Sequence, residues 1–210
     1  MDRTPSFALA RRNLSSTFVD ALLELLPEAY HRAGEVAAAE FGSNHAYHRG
    51  TARWGKADDV LYRAAEVAGF PVKRVPADNG VTHTEVYTPE VVVVQKKVKE
   101  PGDGGSAAYR KRLCKNNGVL SLFPDDIEDL EPLDEDGRVF MELTHGPYDD
   151  DPTRIRFVYL VATDEEGNTI DYFPIQSLYP GRDTGDGGIE TPPDDVWPTP
   201  RSGARTGSIG

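Results

Sequence analysis

The residues best spaced for chemistry lie on one predicted β-hairpin: Glu85 on its first leg, Glu90 in its turn, and Gln95 and Lys97 at the end of its second leg. Side-chain oxygens on two neighbouring strands, with a lysine two positions further on, can hold a divalent cation and place an amine near an attacking water. That is the chemistry of metal-dependent phosphodiester hydrolysis, with Mg2+ as the expected ion. The set has two weaknesses. Glutamine is a poorer ligand than a carboxylate, and Glu90 stands only five residues before Gln95, too close for a hairpin to present both together. Strict alternation puts Gln95 and Lys97 on one face of the strand and Lys96 on the other, so a working site needs Glu85 beside the first pair. The competing reading is a structural strand whose lysines solvate its end.

Other groupings carry less. His45 and His48, with His31 upstream and His83 on a strand, include two imidazoles three residues apart that can share a helical turn, but no third metal ligand is in register. His145 precedes Asp149, Asp150 and Asp151; consecutive carboxylates point in different directions, so the stretch reads as a solvated loop. Cys114, the only cysteine, has no sequence-local base and reads as a small buried side chain. Being alone, it excludes an intrachain disulfide and a zinc site of several thiolates. The glycines from Gly102 to Gly105 lack the spacing and the Lys-Ser ending of a phosphate loop. No resident metal or cofactor is expected outside the hydrolytic reading.

The charge pattern offers a different kind of site. The formal net charge of -12 argues against a general binder of nucleic acid or anionic membranes. Its distribution is uneven, with fifteen Asp and Glu against three Arg from Phe123 to Glu166, and seven basic residues against two acidic ones from Gln95 to Lys115. Lys96, Lys99, Arg110, Lys111, Arg112 and Lys115 are therefore candidate binding residues for an acidic protein surface, or for a phosphate backbone. They can equally meet the chain's own acidic segment from Asp125 to Asp136, which is itself dense enough to imitate nucleic acid.

Positioning these groups requires an α+β domain. Ser15 or Ser16 caps a first helix whose apolar residues Phe18, Leu22, Leu25, Leu26, Ala29, Ala33, Val36 and Ala37 recur at helical spacing, with Pro27 as a kink or a break. His45 to Gly55 reads as irregular, and a short second helix runs from Asp58 or Asp59 to a Gly69 stop. Strands follow at Phe70 to Val75, Val81 to Tyr87 and the return leg ending near Val98. The run Val91 to Val94 is the expected centre of the sheet, because four β-branched residues favour a pleated surface covered on both sides. Ser106 caps a basic helix through Leu113, and strands at Arg138 to Thr144, Arg154 to Thr163 and Thr169 to Leu178 complete the pattern.

These elements predict one α+β domain over residues 1 to 179, with N-terminal helices packed on a mostly antiparallel sheet of five or six strands, then a disordered Pro- and Gly-rich tail over residues 180 to 210. The start lacks a continuous apolar leader and no run is long enough to span a bilayer, so a cytoplasmic protein without a membrane partner is expected.

The order of helix, hairpin and basic helix resembles the core of restriction-endonuclease-type nucleases. At Val91 to Lys97, Tyr109-Arg110-Lys111-Arg112-Leu113 and Phe157 to Tyr172, the sequence also resembles small uncharacterised bacterial proteins encoded beside pairs of a helix-turn-helix regulator and a metallopeptidase. The second resemblance lies in pattern and element order over residues 15 to 178. It implies an accessory protein of a regulatory, stress, defence or mobile-element module, and it brings no catalytic residues with it. The leading expectation is a non-enzymatic interaction or regulatory protein whose partner is another protein; the alternative is the Glu85, Gln95 and Lys97 phosphodiesterase.

Overall fold

A computed structural model describes residues 4–41, 45–76, 82–102, 108–118, 120 and 137–180. The acidic segment, most of the stretch from Val119 to Phe123, the turn at Asn79-Gly80 and the tail after Pro180 lie outside the described residues.

Three helices come first. Helix α1 (Pro5–Asn13) starts with proline in its first turn, where the missing N–H costs nothing, and the Thr4 hydroxyl accepts from the Phe7 amide at 3.3 Å. Helix α2 (Ser16–Phe41) is capped by the Ser15 hydroxyl, which accepts from Phe18 N at 3.3 Å. It continues through Pro27, because Leu22, Leu26, Ala29, Tyr30 and Ala33 keep one buried stripe on both sides of the proline, and packing outweighs one lost hydrogen bond. At Gly34 a Cβ would stand 2.7 Å from Thr153 Cγ2, so the helix approaches the turn after the fourth strand as only glycine allows.

Helix α3 (His45–Ala68) corrects the expectation of an irregular stretch from His45 to Gly55. Its buried stripe runs Arg53, Ala57, Val60, Leu61, Ala64 and Ala65. Arginine occupies the position where the pattern calls for an apolar residue, and that hid the first half of the helix. Gly69, at φ 74°, ends it, with Phe70 N bonded to Ala65 O at 2.9 Å.

The sheet takes its strands in chain order: β1 (Val72–Pro76), β2 (Thr82–Tyr87), β3 (Val91–Lys97), β4 (Val139–Pro147), β5 (Ile155–Thr163) and β6 (Thr169–Pro174). All neighbours are antiparallel except β3 and β4, which run parallel from Val91 opposite Val139 to Lys97 opposite His145. Short helix α4 (Ala108–Leu113) lies in the chain between those two strands, as a parallel pair requires of its connection.

Val86, Val91, Val93, Val139, Met141, Leu143, Val158, Leu160 and Phe173 face α1, α2 and α3 in one apolar cluster. Val94 and Phe140 face the other way, toward Leu113 and Cys114 at the end of α4. The valine run is therefore covered on both sides. No described helix is long and apolar enough to cross a membrane.

Candidate functional site

The hairpin set does not converge. Glu85 pairs with Val94, so its side chain shares the α4 face with Val94, while Gln95 and Lys97 alternate onto the opposite, helix-layer face with Val91 and Val93. Glu85 is fully buried, and its oxygens are taken by His83 Nε2 at 2.9 Å, by the Tyr87 hydroxyl at 2.5 Å and by Arg112. Burial pushes the Glu85 carboxyl up, and the bonds from Tyr87, His83 and Arg112 outweigh it and hold the group below its ordinary value. Tyr87 is pushed up to about 12 by burial and by the carboxylate beside it. Glu90 serves the fold instead: Arg12 grips it with two bonds of 2.7 Å and Asn13 Nδ2 with one of 2.8 Å, joining α1 to the β2–β3 turn. The magnesium site expected from Glu85, Gln95 and Lys97 thus lacks its common face.

The basic segment divides in a way its sequence does not reveal. Arg110 is buried with its Nη2 2.9 Å from Glu142, itself fully buried, and Arg112 pairs with Glu85. Two cations proposed for a partner therefore answer carboxylates of the chain's own sheet, from β4 and β2. Lys111 and Lys115 are exposed, Lys96 is half-buried, and Lys99 lends its carbonyl to Arg156 at 2.8 Å. Cys114 is buried 3.2 Å from the Thr163 hydroxyl, and burial pushes its thiol up, so it offers no ready nucleophile. Asp151 caps a turn by accepting from Thr153 N at 3.0 Å and from its hydroxyl at 2.6 Å. His48 stacks on Phe41 with ring centroids 3.7 Å apart. Among the described residues no three His, Cys, Asp or Glu side chains gather as a metal site needs.

The distinctive cluster lies on the helix-layer face, at the end of β3 and β4. His145 continues the inward alternation of Val139, Met141 and Leu143, so it is a strand residue, wholly buried, and not part of a solvated loop. Its Nδ1 lies 2.6 Å from the Tyr30 hydroxyl and its Nε2 2.8 Å from Gln95 Oε1, while Gln95 Nε2 donates to the Trp54 carbonyl of α3 at 3.3 Å. The last bond fixes the directions of the rest. Gln95 Oε1 must accept, so His145 donates from Nε2 and receives the Tyr30 proton at Nδ1. The ring is a neutral imidazole whose pKa is pushed down to about 3, first by burial and then by the charges of Lys97 and Arg53. Burial also lowers Lys97 and Arg53, each further depressed by a neighbouring cation: Arg53 beside Lys97, and Arg49 beside Arg53.

Around this chain stand Arg49, Arg53 and Lys97. Arg53 is 5 % exposed, its guanidinium carbon is 5.6 Å from the Tyr30 ring centroid, and its Nε has no hydrogen-bond partner among the described residues. The buried Nε of Arg49, one helical turn earlier on the same face, has none either. Gly50, between them, opens the helix surface to the Lys97 ammonium, which lies 3.5 Å from where a Cβ would stand. No described carboxylate bonds or pairs with any of the three. Sequence reasoning reached Lys97 and Gln95, named His145 but set it in a solvated loop, and gave no site role to Tyr30, Arg49 or Arg53. Carrying the β4 alternation two residues further would have found His145; the parallel register that sets it beside Lys97 leaves no mark in either strand alone.

Comparison with protein-family models, with curated proteins and with solved structures finds no match to this chain.

Proposed function

We propose that this chain is a non-enzymatic binding protein, cytoplasmic and regulatory in character, that engages an anionic site on a partner protein through Arg49, Arg53 and Lys97. The observation that carries the reading is the gathering of three cations on rigid elements with no described carboxylate to answer them, while Arg110 and Arg112 of the same chain are each matched to one. Cations left unmatched beside a sheet end favour an anion over any neutral partner, and they steer its approach. Binding is favoured over catalysis because the groups able to move protons or attack are enclosed. His145 has both ring nitrogens bonded and no exposure, Glu85 is ringed by donors, and Cys114 is buried. An accessory role in a regulatory or stress module accords with the resemblance of the strand and helix pattern.

The test is capture from native lysate at low salt with the wild type and with the double variant Arg49→Glu, Lys97→Glu. An acidic partner held by the wild type, released in about 0.5 M salt and lost by the double variant but kept by Lys111→Glu, is the expected result. Recovery of the monomer alone, or equal capture by the double variant, refutes the reading.

A further inference from the structure

The charge and donor geometry around Lys97 identify more than a sign. We infer that Arg49, Arg53 and Lys97 form a site for a phosphomonoester dianion, with Arg53 as its buried anchor. The inference rests on the anion-binding reading above and narrows it to one chemical group.

Three features select this ligand. The cluster carries three formal positive charges with no described carboxylate, and the neighbouring His145 is neutral and committed to Tyr30 and Gln95. A singly charged carboxylate would leave two cations unanswered in a place half or more out of water, whereas a dianion leaves one. The donors are also of two kinds. Guanidinium forks from Arg49 and Arg53 rise from one face of α3, and a point-charge ammonium comes from β3 across Gly50. A tetrahedral group with three terminal oxygens can accept from all three at once; a planar carboxylate offers two oxygens in one plane. Finally, the buried Nε atoms of Arg49 and Arg53 have no hydrogen-bond partner among the described residues, so both guanidinium groups keep donor capacity that the described protein does not use.

The supporting side chains set the positions of these donors. Gln95 ties β3 to the Trp54 carbonyl one residue past Arg53, and Tyr30 lies under the Arg53 guanidinium while bonding His145. Tyr30, Gln95 and His145 act through Arg53 and Lys97 and are positioning residues.

The experiment uses the full chain, in buffer of constant ionic strength, with inorganic phosphate, a short phosphoserine peptide, its unphosphorylated counterpart and acetate as probes. Isothermal calorimetry and thermal unfolding read the outcome. Phosphate is expected to bind with Kd of about 1 mM or tighter and to raise Tm by a few degrees at roughly a hundredfold excess over Kd, with acetate at least about tenfold weaker. Arg53→Met is expected to lose phosphate binding by more than about tenfold while melting at or above the wild-type temperature in phosphate-free buffer, because it removes a buried charge that no described carboxylate answers. Gly50→Leu keeps every charge but displaces Lys97, and should weaken phosphate by about tenfold, a check that stands if Arg53→Met does not fold.

Tighter binding of the phosphoserine peptide than of inorganic phosphate supports the site with a protein-borne group; equal or weaker binding supports it with a free phosphomonoester. No heat and no Tm response to phosphate in the wild type, acetate binding as well as phosphate, or unchanged phosphate binding in Arg53→Met each overturns it. If an acidic partner is still captured through Arg49 and Lys97, the broader anion reading survives that failure.

Discussion

Acid should destabilise this protein through His145, and the size of the effect follows from its surroundings. The imidazole is wholly buried beside Lys97 and Arg53, and its pKa falls from 6.5 to about 3 in the folded state. When a basic group is depressed by folding, the unfolded chain takes up the proton first. Stability is therefore complete above about pH 6.5 and declines as pH falls through the window between 6.5 and about 3. The slope inside that window is about 1.4 kcal/mol per pH unit. Between pH 7 and pH 5 the integrated loss is about 2 kcal/mol, and because the ring is fully enclosed it takes no discount for solvent.

The assay is urea unfolding of the wild type and His145→Gln at both pH values. The variant starts lower, having lost a bonded ring, but its offset is irrelevant: exposed histidines and ordinary carboxylates titrate alike in both proteins and cancel in the difference. The wild type should lose about 2 kcal/mol more than the variant on going to pH 5. Equal losses would refute the assigned environment, and so would a wild-type imidazole that NMR finds protonated at pH 5.

Two further outcomes bear on the same faces of the sheet. Arg110→Met leaves the buried Glu142 carboxylate without its guanidinium and should cost about 3 to 5 kcal/mol in urea unfolding, whereas Arg112→Met, from a half-exposed arginine, should cost about 1 kcal/mol or less because Glu85 keeps His83 and Tyr87; similar costs for both would contradict the division between buried and rim pairs. Gln95→Glu places a carboxylate where an amide oxygen now lies 2.8 Å from His145 Nε2, so the NMR titration of His145 should move upward and the Tm response to phosphate should shrink; an unmoved titration would show that the described contact is wrong.

The architecture was legible where side-chain period and turn chemistry agree. Val91 to Val94 announced a strand covered on both faces, Gly69 announced a helix end, and the stretch from Arg154 to Thr163, followed by the hairpin loop Asp164 to Asn168, announced a strand beside its partner. Helix α1 was not foreseen, because Ser6, Asn13 and flanking arginines blur a short apolar stripe. The first half of α3 was hidden by two glycines and by Arg53 in a core position. The candidate site was half legible. Lys97 and Gln95 were singled out for the right strand end, but their assumed companion Glu85 lies across the sheet. Their actual companions come from elements 40 to 65 residues away in sequence, joined to them by a parallel register and a helix crossing that local patterns do not encode.

The position of the cluster follows from how two parallel strands leave one core. On β3 the inward residues run Val91, Val93, Gln95, Lys97, and on β4 they run Val139, Met141, Leu143, His145; both change from apolar to polar at the same end of the sheet. Had the strands been antiparallel, each polar end would have met the other's apolar start and been left to bond water at opposite rims. In parallel register Lys97 stands opposite His145, and the bond from His145 to Gln95 is made within the pair. Tyr30 and the Trp54 carbonyl then close the chain from the helix layer, so that every polar atom of the His145 ring and the Gln95 amide is satisfied without a formal charge. This neutral layer separates the apolar core from the cations beyond it. A carboxylate at Gln95 or His145 would neutralise Lys97 and Arg53 from below, as Glu142 and Glu85 neutralise Arg110 and Arg112 on the other face. Arg110 and Arg112 are thus closed by buried acids on one face of the sheet, whereas Arg53, on the other face, is underlain by uncharged donors and acceptors.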